Sequence, residues 1–262
     1  MSALFHCLVC RSTCETWQNV CPKCGRFNSF SVQGGGVVIK STTTDVAHTV
    51  TRQKTGCAVF DAVMHGGIVM NSCVLIAGIA GGGKSTMILE VAGGLAREGL
   101  RVAYVCAEED PGAVVDRARR VGAVHDRLDL IRTTDASTAI EIAGSYDVAV
   151  YDSIQKLGVT AGLLLVPRTR ILVSQLNKLG VVAGERGNEH DPDVLAFCDY
   201  SPEDKTRALS CTKNRHGELM QAPYTLGEFG VAGMPCKTCN MLTVPCKCPP
   251  KKKRRRGEEE RA

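Results

Sequence analysis

The stretch GIAGGGKST, Gly78 to Thr86, fits the spacing G-x-x-x-x-G-K-[S/T] through Gly78, Gly83, Lys84 and Ser85. A glycine-rich loop of this kind lets successive backbone N–H groups, here those of Gly81, Gly82, Gly83 and Lys84, converge on an anion unobstructed. The chemistry implied is nucleotide binding. The N–H groups wrap the phosphates of ATP, Lys84 contacts the β- and γ-phosphates, Ser85 ligates Mg2+ and Thr86 begins the helix. The metal calls for a second acid, and Asp152, closing the apolar run VAVYD, is placed to hold it through a water. Hydrolysis also needs a group that takes the proton of an attacking water. Glu108 and Glu109 directly follow the apolar run AYVCA, where a carboxylate can do so. Gln175, at the end of RILVSQ, is placed to sense the γ-phosphate.

Two other clusters carry chemistry. In CTKNRHGEL, Lys213 and Arg215 stand two residues apart, which on an extended strand turns both cations to one face, as an anion would require. Near the start, CLVC and CPKC supply Cys7, Cys10, Cys21 and Cys24, with ten residues between the pairs. Each C-x-x-C lets two thiolates of one turn reach one ion, and two turns complete a tetrahedron that suits structural Zn2+. Binding worth about 10–16 kcal/mol would make so short a segment fold with its metal. Cys14 falls in the loop between the pairs and is left over. A second set, Cys236, Cys239, Cys246 and Cys248, offers C-x-x-C followed by the tighter C-x-C, a possible second zinc site.

The elements that position these residues follow from pattern. SCVLIAG (72–78) is an unbroken apolar run, as a strand buried on both faces should be. Ile88, Val91, Ala92 and Leu95 recur at helical spacing, and Gly99 ends that helix. RVAYVCA, DVAVYD and RILVSQ read as further strands, with GAVVDRARRVG as a helix between the first two. Strand and helix in alternation give an α/β core with a mostly parallel sheet. VLAFCDY and TRALSCT flank SPEDK as an antiparallel hairpin. The expected organisation is a zinc ribbon at 1–30, a Gly/Ser/Thr-rich linker at 31–48, an ATPase domain at 49–233 and a Cys-rich, basic tail at 234–262.

Composition bounds the rest. The chain has 262 residues, 44% apolar and 23% charged, with no run of eighteen apolar residues and no signal-peptide pattern at its start. A cytoplasmic protein without a membrane partner is expected. Fourteen cysteines in short-spaced clusters point to metal in a reducing compartment rather than to disulfides. Net charge is +5, much of it in KKKRRR (251–256), answered by EEE directly after. That run reads as a solvated charged tail, with phosphate-backbone contact or a nuclear-import signal as the alternatives.

Five motifs occur in one order: CLVC-x10-CPKCG with Trp17 inside it, the stretch from TG to GGKST over 55–86, YVCAEE at 104–109, YDSIQ at 151–155 and KNRHG at 213–217. In these the chain resembles bacterial RadA, the zinc-ribbon family of RecA-like P-loop ATPases, over roughly residues 1–231. The resemblance implies a core assembled as a homo-oligomeric, hexameric ring that hydrolyses ATP on single-stranded or branched DNA. It implies branch migration in recombinational repair, beside a RecA-type recombinase. It makes Glu108 the catalytic glutamate, Asp152 the metal's acid, and Lys213 and Arg215 cations that reach the γ-phosphate of a neighbouring subunit's ATP. Four features depart from the family. His216 stands where it has Phe, and Ser174–Gln175 where it has Gly-His. The connection SIQKLGVTAGLLLVPRT (153–169) is shorter than the one that carries a DNA-contacting loop in the family, and its large Lon-protease-like C-terminal domain is expected to be missing, giving a short form. The alternative is an ATP-driven regulatory or scaffold protein on the same core, without translocation on DNA; a zinc-bearing, DNA-binding accessory with little turnover is a third reading.

Overall fold

Alternating exposure along each strand decides which side of the sheet a residue serves, and the central strands here are buried on both sides. The computed structural model describes residues 5–7, 10–14, 21–24, 30–32, 50–158, 169–176, 191–201 and 206–234. Two compact units divide the chain, Met1–Thr51 and Arg52–Ala262.

In the first unit, β1 (Phe5–Cys7) pairs antiparallel with both β2 (Thr13–Cys14) and β3 (Phe30–Val32). A tight knuckle follows β1: the N–H of Cys7 donates to the carbonyl of Ser12 at 2.7 Å and that of Arg11 to the carbonyl of Cys7 at 2.9 Å. Arg11 adopts a left-handed conformation to make it.

The second unit opens with β4 (Arg52–Gln53), α1 (Ala58–Val63) and β5 (Ile68–Val69), where β4 and β5 pair antiparallel. Then come β6 (Cys73–Gly78), α2 (Lys84–Arg97), β7 (Val102–Cys106), α3 (Pro111–Arg120), β8 (Leu128–Arg132), α4 (Ala136–Ala143), β9 (Val148–Asp152), α5 (Ile154–Leu157) and β10 (Thr169–Gln175). The last elements are β11 (Val194–Ser201), β12 (Thr206–Asn214), β13 (Gln221–Gly227) and β14 (Gly230–Gly233). One nine-stranded sheet runs β14-β13-β12-β11-β6-β10-β9-β7-β8. From β11 through β8 all neighbours are parallel; β12, β13 and β14 extend the sheet antiparallel.

The α/β class with a mostly parallel sheet is thus as the sequence implies, and the hairpin across SPEDK is β11–β12. Val74 and Ile76 of β6 face Met87, Val91 and Leu95 of α2 in one apolar layer. Cys73, Leu75 and Ala77 face the other, with Leu172, Tyr151 and Ala139. Two glycines bring α2 unusually close to its surroundings. A Cβ at Gly94 would lie 1.5 Å from the carbonyl oxygen of Thr55, and one at Gly93 2.6 Å from Cα of Ala123.

Sequence pattern does not foresee β8. Its residues LDLIR are only partly buried because it is the sheet's edge, and Asp129 and Arg132 interrupt the apolar run.

Candidate nucleotide and metal sites

At the carboxyl end of β6 the chain turns through the glycine-rich loop into α2. A Cβ at Gly78 would sit 2.6 Å from the carbonyl oxygen of Cys198, so glycine is what lets β11 approach so near. Gly83, the N-cap of α2, has φ +91 and needs glycine for its left-handed backbone. The loop is braced from β13: the Tyr224 hydroxyl donates to the carbonyl of Gly82 at 2.8 Å, and the Leu226 side chain lies against Gly83. Lys84 is nearly buried and its Nζ donates to the carbonyls of Gly78 and Ile79, both at 2.8 Å. Burial lowers its pKa, opposed in part by the negative charges of Asp152 and Glu108.

The predicted acids meet this loop. Gln175 pairs in register with Gly78, and Asp152 with both Val173 and Cys106. Four adjacent strands, β6, β10, β9 and β7, therefore end at one crevice that holds Lys84, Gln175, Asp152 and Glu108, the usual ligand position of such a sheet. Asp152 is buried; its carboxylate accepts from the Tyr104 hydroxyl at 2.6 Å and from Ser85. Burial raises its pKa, and these two hydrogen bonds pull the other way. Glu108 is exposed, and accepts from the Ser153 hydroxyl at 3.0 Å and from the Gln175 amide at 2.9 and 3.2 Å. Glu109 does not join them. It forms an ion pair with Arg117 of α3. Strand position alone leaves the two glutamates equivalent, the family resemblance singles out Glu108, and the fold separates them.

Ser153, Tyr104, Tyr224 and Cys198 escaped the sequence reasoning. Ser153 and Tyr104 lie inside quoted motifs and were within reach. Tyr224 stands 142 residues from Gly82, and no local pattern links them.

The two cations are elsewhere. The expectation that Lys213 and Arg215 share one face of a strand is corrected: β12 ends at Asn214, and Arg215 lies in the turn that follows. The reason is the Gly217 turn itself, clamped by side chains that an extended strand could not satisfy. Arg52 Nη2 donates to the carbonyl of His216 at 2.5 Å, and His65 Nε2 donates to that of Glu218 at 2.8 Å. Asn214 Oδ1 accepts from the N–H of His216 at 2.9 Å. Arg215 Nη1 bonds Asp193 Oδ1 at 3.1 Å. Asp193 in turn exchanges bonds with Cys73, the first residue of β6. Five strand residues at about 3.3 Å each, roughly 16 Å, separate that end of β6 from Gly78. Arg215 therefore lies at the opposite end of the sheet from this chain's own phosphate loop, while Lys213 pairs with Leu195, level with Leu75 in the middle of β6.

The first-unit cysteines come together as predicted. The ligand sulfurs of Cys7, Cys10, Cys21 and Cys24 all lie within 4.8 Å of one another. Cys7 to Cys24 is 3.7 Å and Cys10 to Cys21 is 3.6 Å. Four thiolates about 2.3 Å from one zinc would be about 3.8 Å apart, whereas a disulfide needs roughly 2.05 Å. The donor set therefore fits Zn2+. Burial raises the Cys21 thiol, but hydrogen bonds from the Ser12 hydroxyl and from Cys24 and Lys23 outweigh it and hold it at about 6. Cys14 packs against the cluster without being one of the four. Cys236, Cys239, Cys246 and Cys248, the linker at 33–48, Trp17 and the 159–168 part of the shortened connection lie outside the described residues.

Comparison with known proteins gives a consistent picture. The family profile "ATPase: KaiC" matches residues 53–158. The DNA repair protein RadA of Mycolicibacterium smegmatis is 30% identical over 81% of this chain and 55% of its own length. That of Mycobacterium tuberculosis is 31% identical over 88% of this chain and 56% of its own length. The chain thus spans a little over half the length of these relatives. Among solved structures, a KaiC-like protein of the archaeon Pyrococcus horikoshii superposes with a TM-score of 0.60 at 19% identity, over 71% of this chain and all of that one, which speaks to the fold. Among the described residues no helix is long and apolar enough to cross a membrane.

Proposed function

We infer function from one premise: this chain belongs to the RadA family of RecA-like ATPases. On it we propose a DNA-dependent ATPase of recombinational repair, which binds single-stranded or branched DNA, works as a ring beside a RecA-type recombinase and promotes branch migration. Lys84 and the N–H groups of Gly81 to Lys84 bind the ATP phosphates. Ser85 and Asp152 are the residues that would hold Mg2+, which when bound supplies positive charge to the phosphate oxygens. Glu108 accepts the proton of the attacking water, and the hydrogen bonds from Ser153 and Gln175 fix where its carboxylate points. Cys7, Cys10, Cys21 and Cys24 would hold structural Zn2+ in a ribbon at 1–30, with the Cys236–Cys248 set as a second zinc site in the 234–262 tail.

One observation carries this reading. Phosphate loop, base and metal acid share one sheet end, while Arg215 stands at the other and Lys213, two strands from β6, lies between the two levels. In a ring, the cations of one subunit would complete the pocket of the next. Cations supplied in trans are worth about 10³–10⁵ in rate.

Steady-state ATP hydrolysis with and without single-stranded DNA tests it. DNA is expected to raise turnover, and Lys84→Ala and Arg215→Ala are each expected to abolish the rise. Turnover that ignores DNA but responds to a protein partner would instead identify a regulatory or scaffold ATPase.

A further inference from the structure

Arg215 is useful to a neighbour only if its guanidinium is aimed, and a residue at a turn has no strand ladder to aim it. The side chain is 57% exposed and would otherwise sample many rotamers. Asp193 supplies the restraint. Its carbonyl accepts from the N–H of Arg215 at 3.0 Å, and its Oδ1 accepts from Arg215 Nη1 at 3.1 Å. Backbone and side chain of the arginine are thus gripped by one residue. The grip uses one edge of the guanidinium through Nη1, which leaves the rest of the fork for another anion.

The same aspartate is equally committed on its other side. Its N–H donates to the carbonyl of Cys73 at 2.8 Å, and its Oδ2 accepts from the N–H of Cys73 at 2.9 Å. All four of its polar groups are used, two on Cys73 and two on Arg215. Cys73 begins β6, the strand that ends in the phosphate loop. The two bonds to Cys73 extend the pairing of β11 with β6, but an exposed ion pair contributes little to stability, so holding the fold together does not account for the side-chain bond to Arg215.

We propose that Asp193 is a positioning residue for Arg215, tying the cation offered to a neighbouring subunit to the strand that leads to this subunit's own phosphate loop. The proposal rests on the shared-pocket reading above and deepens it.

The test is a double-mutant cycle on the full chain, with turnover number and KM for ATP measured separately. Asp193→Asn keeps the shape but leaves one acceptor oxygen where two are used, so it cannot serve Cys73 and Arg215 together. It is expected to lower turnover by about 10- to 10²-fold, the cost of misplacing a reacting group by an ångström or so. KM should stay near wild type, because the phosphate loop lies at the other end of the sheet. Asp193→Asn combined with Arg215→Ala should be no slower than Arg215→Ala alone. Asp193→Glu, which keeps both acceptors one methylene further out, should fall between wild type and Asp193→Asn, and it carries the test should the Asn variant not fold. Wild-type turnover in both Asp193 variants, or losses that multiply in the double variant, would overturn the proposal while leaving the shared pocket standing. Wild-type turnover in Arg215→Ala would overturn both.

Discussion

The two ends of β6 are built on opposite plans. Its carboxyl end is crowded with satisfied parts: a glycine turn braced by Tyr224, a buried Asp152 fixed by Tyr104, and a Glu108 held by two neighbours. Its amino end is tied through Asp193 to Arg215 in a clamped turn, with Lys213 two strands away on β12. The first end is rich in acids and the second in bases. The loop end holds one cation, Lys84, among its acids, and the Arg215 turn lies roughly 16 Å from it along β6. On the shared-pocket proposal, the difference means that the catalytic unit would be a junction between copies rather than a pocket within one.

The most severe way to break this contrast is to disable the two ends in separate molecules. Lys84→Ala and Arg215→Ala are each expected to cut turnover by about 10³-fold or more. A mixture of the two should recover well above the sum of its parts, because an intact loop then meets an intact cation. A mixture that stays at background means the ends do not serve each other.

A smaller effect separates adjacent residues within the loop end. Glu108→Gln should lower the maximal rate by roughly 10²- to 10⁴-fold with little change in nucleotide binding. Glu109→Gln, which loses only its pairing with Arg117, should remain within a few-fold of wild type. Equal losses would mean that the placement of the two glutamates carries no functional weight.

The mildest expected effect concerns the brace beside the loop. Glu90 of α2 accepts from the N–H of Val231 at 2.6 Å, and burial lifts its pKa from about 4.5 to about 7. The folded chain therefore holds this proton more tightly than the unfolded chain. Its contribution is fully present below about 4.5 and is lost as pH rises through 7. Glu90→Gln should flatten that slope in thermal midpoints, with a gain above pH 7 of about 1 kcal/mol or less, since the group is partly exposed and solvent screens it. An unchanged slope would show that Glu90 is not the group responsible.

What the sequence disclosed, and what it withheld, divides along the same line. The loop end was legible because β6, β7, β9 and β10 are continuous apolar runs whose last residues carry the chemistry. Asp152, Gln175 and the pair Glu108 and Glu109 can be named from where their strands stop, Gly78 to Thr86 from its motif, and Glu108 over Glu109 from the family resemblance. The four first-unit cysteines were legible because their two C-x-x-C pairs carry a local spacing that suits a metal. The other end was not. Spacing alone puts Arg215 on a strand, because it cannot tell a strand from a turn held by Arg52 and His65, more than a hundred residues away. Asp193 had no signature at all. Its significance comes from joining Cys73, 120 residues before it, to Arg215, 22 residues after it. Long-range hydrogen bonds leave no period in a sequence.

The bare backbone of Gly94 against Thr55 has a mechanical meaning. Two main chains in direct touch have no rotamers between them to yield, so the seam acts as a stiff bearing. A shift of the first turn of α2 would therefore meet Thr55 at Gly94, about three turns along, with no side-chain play between the two backbones to absorb it.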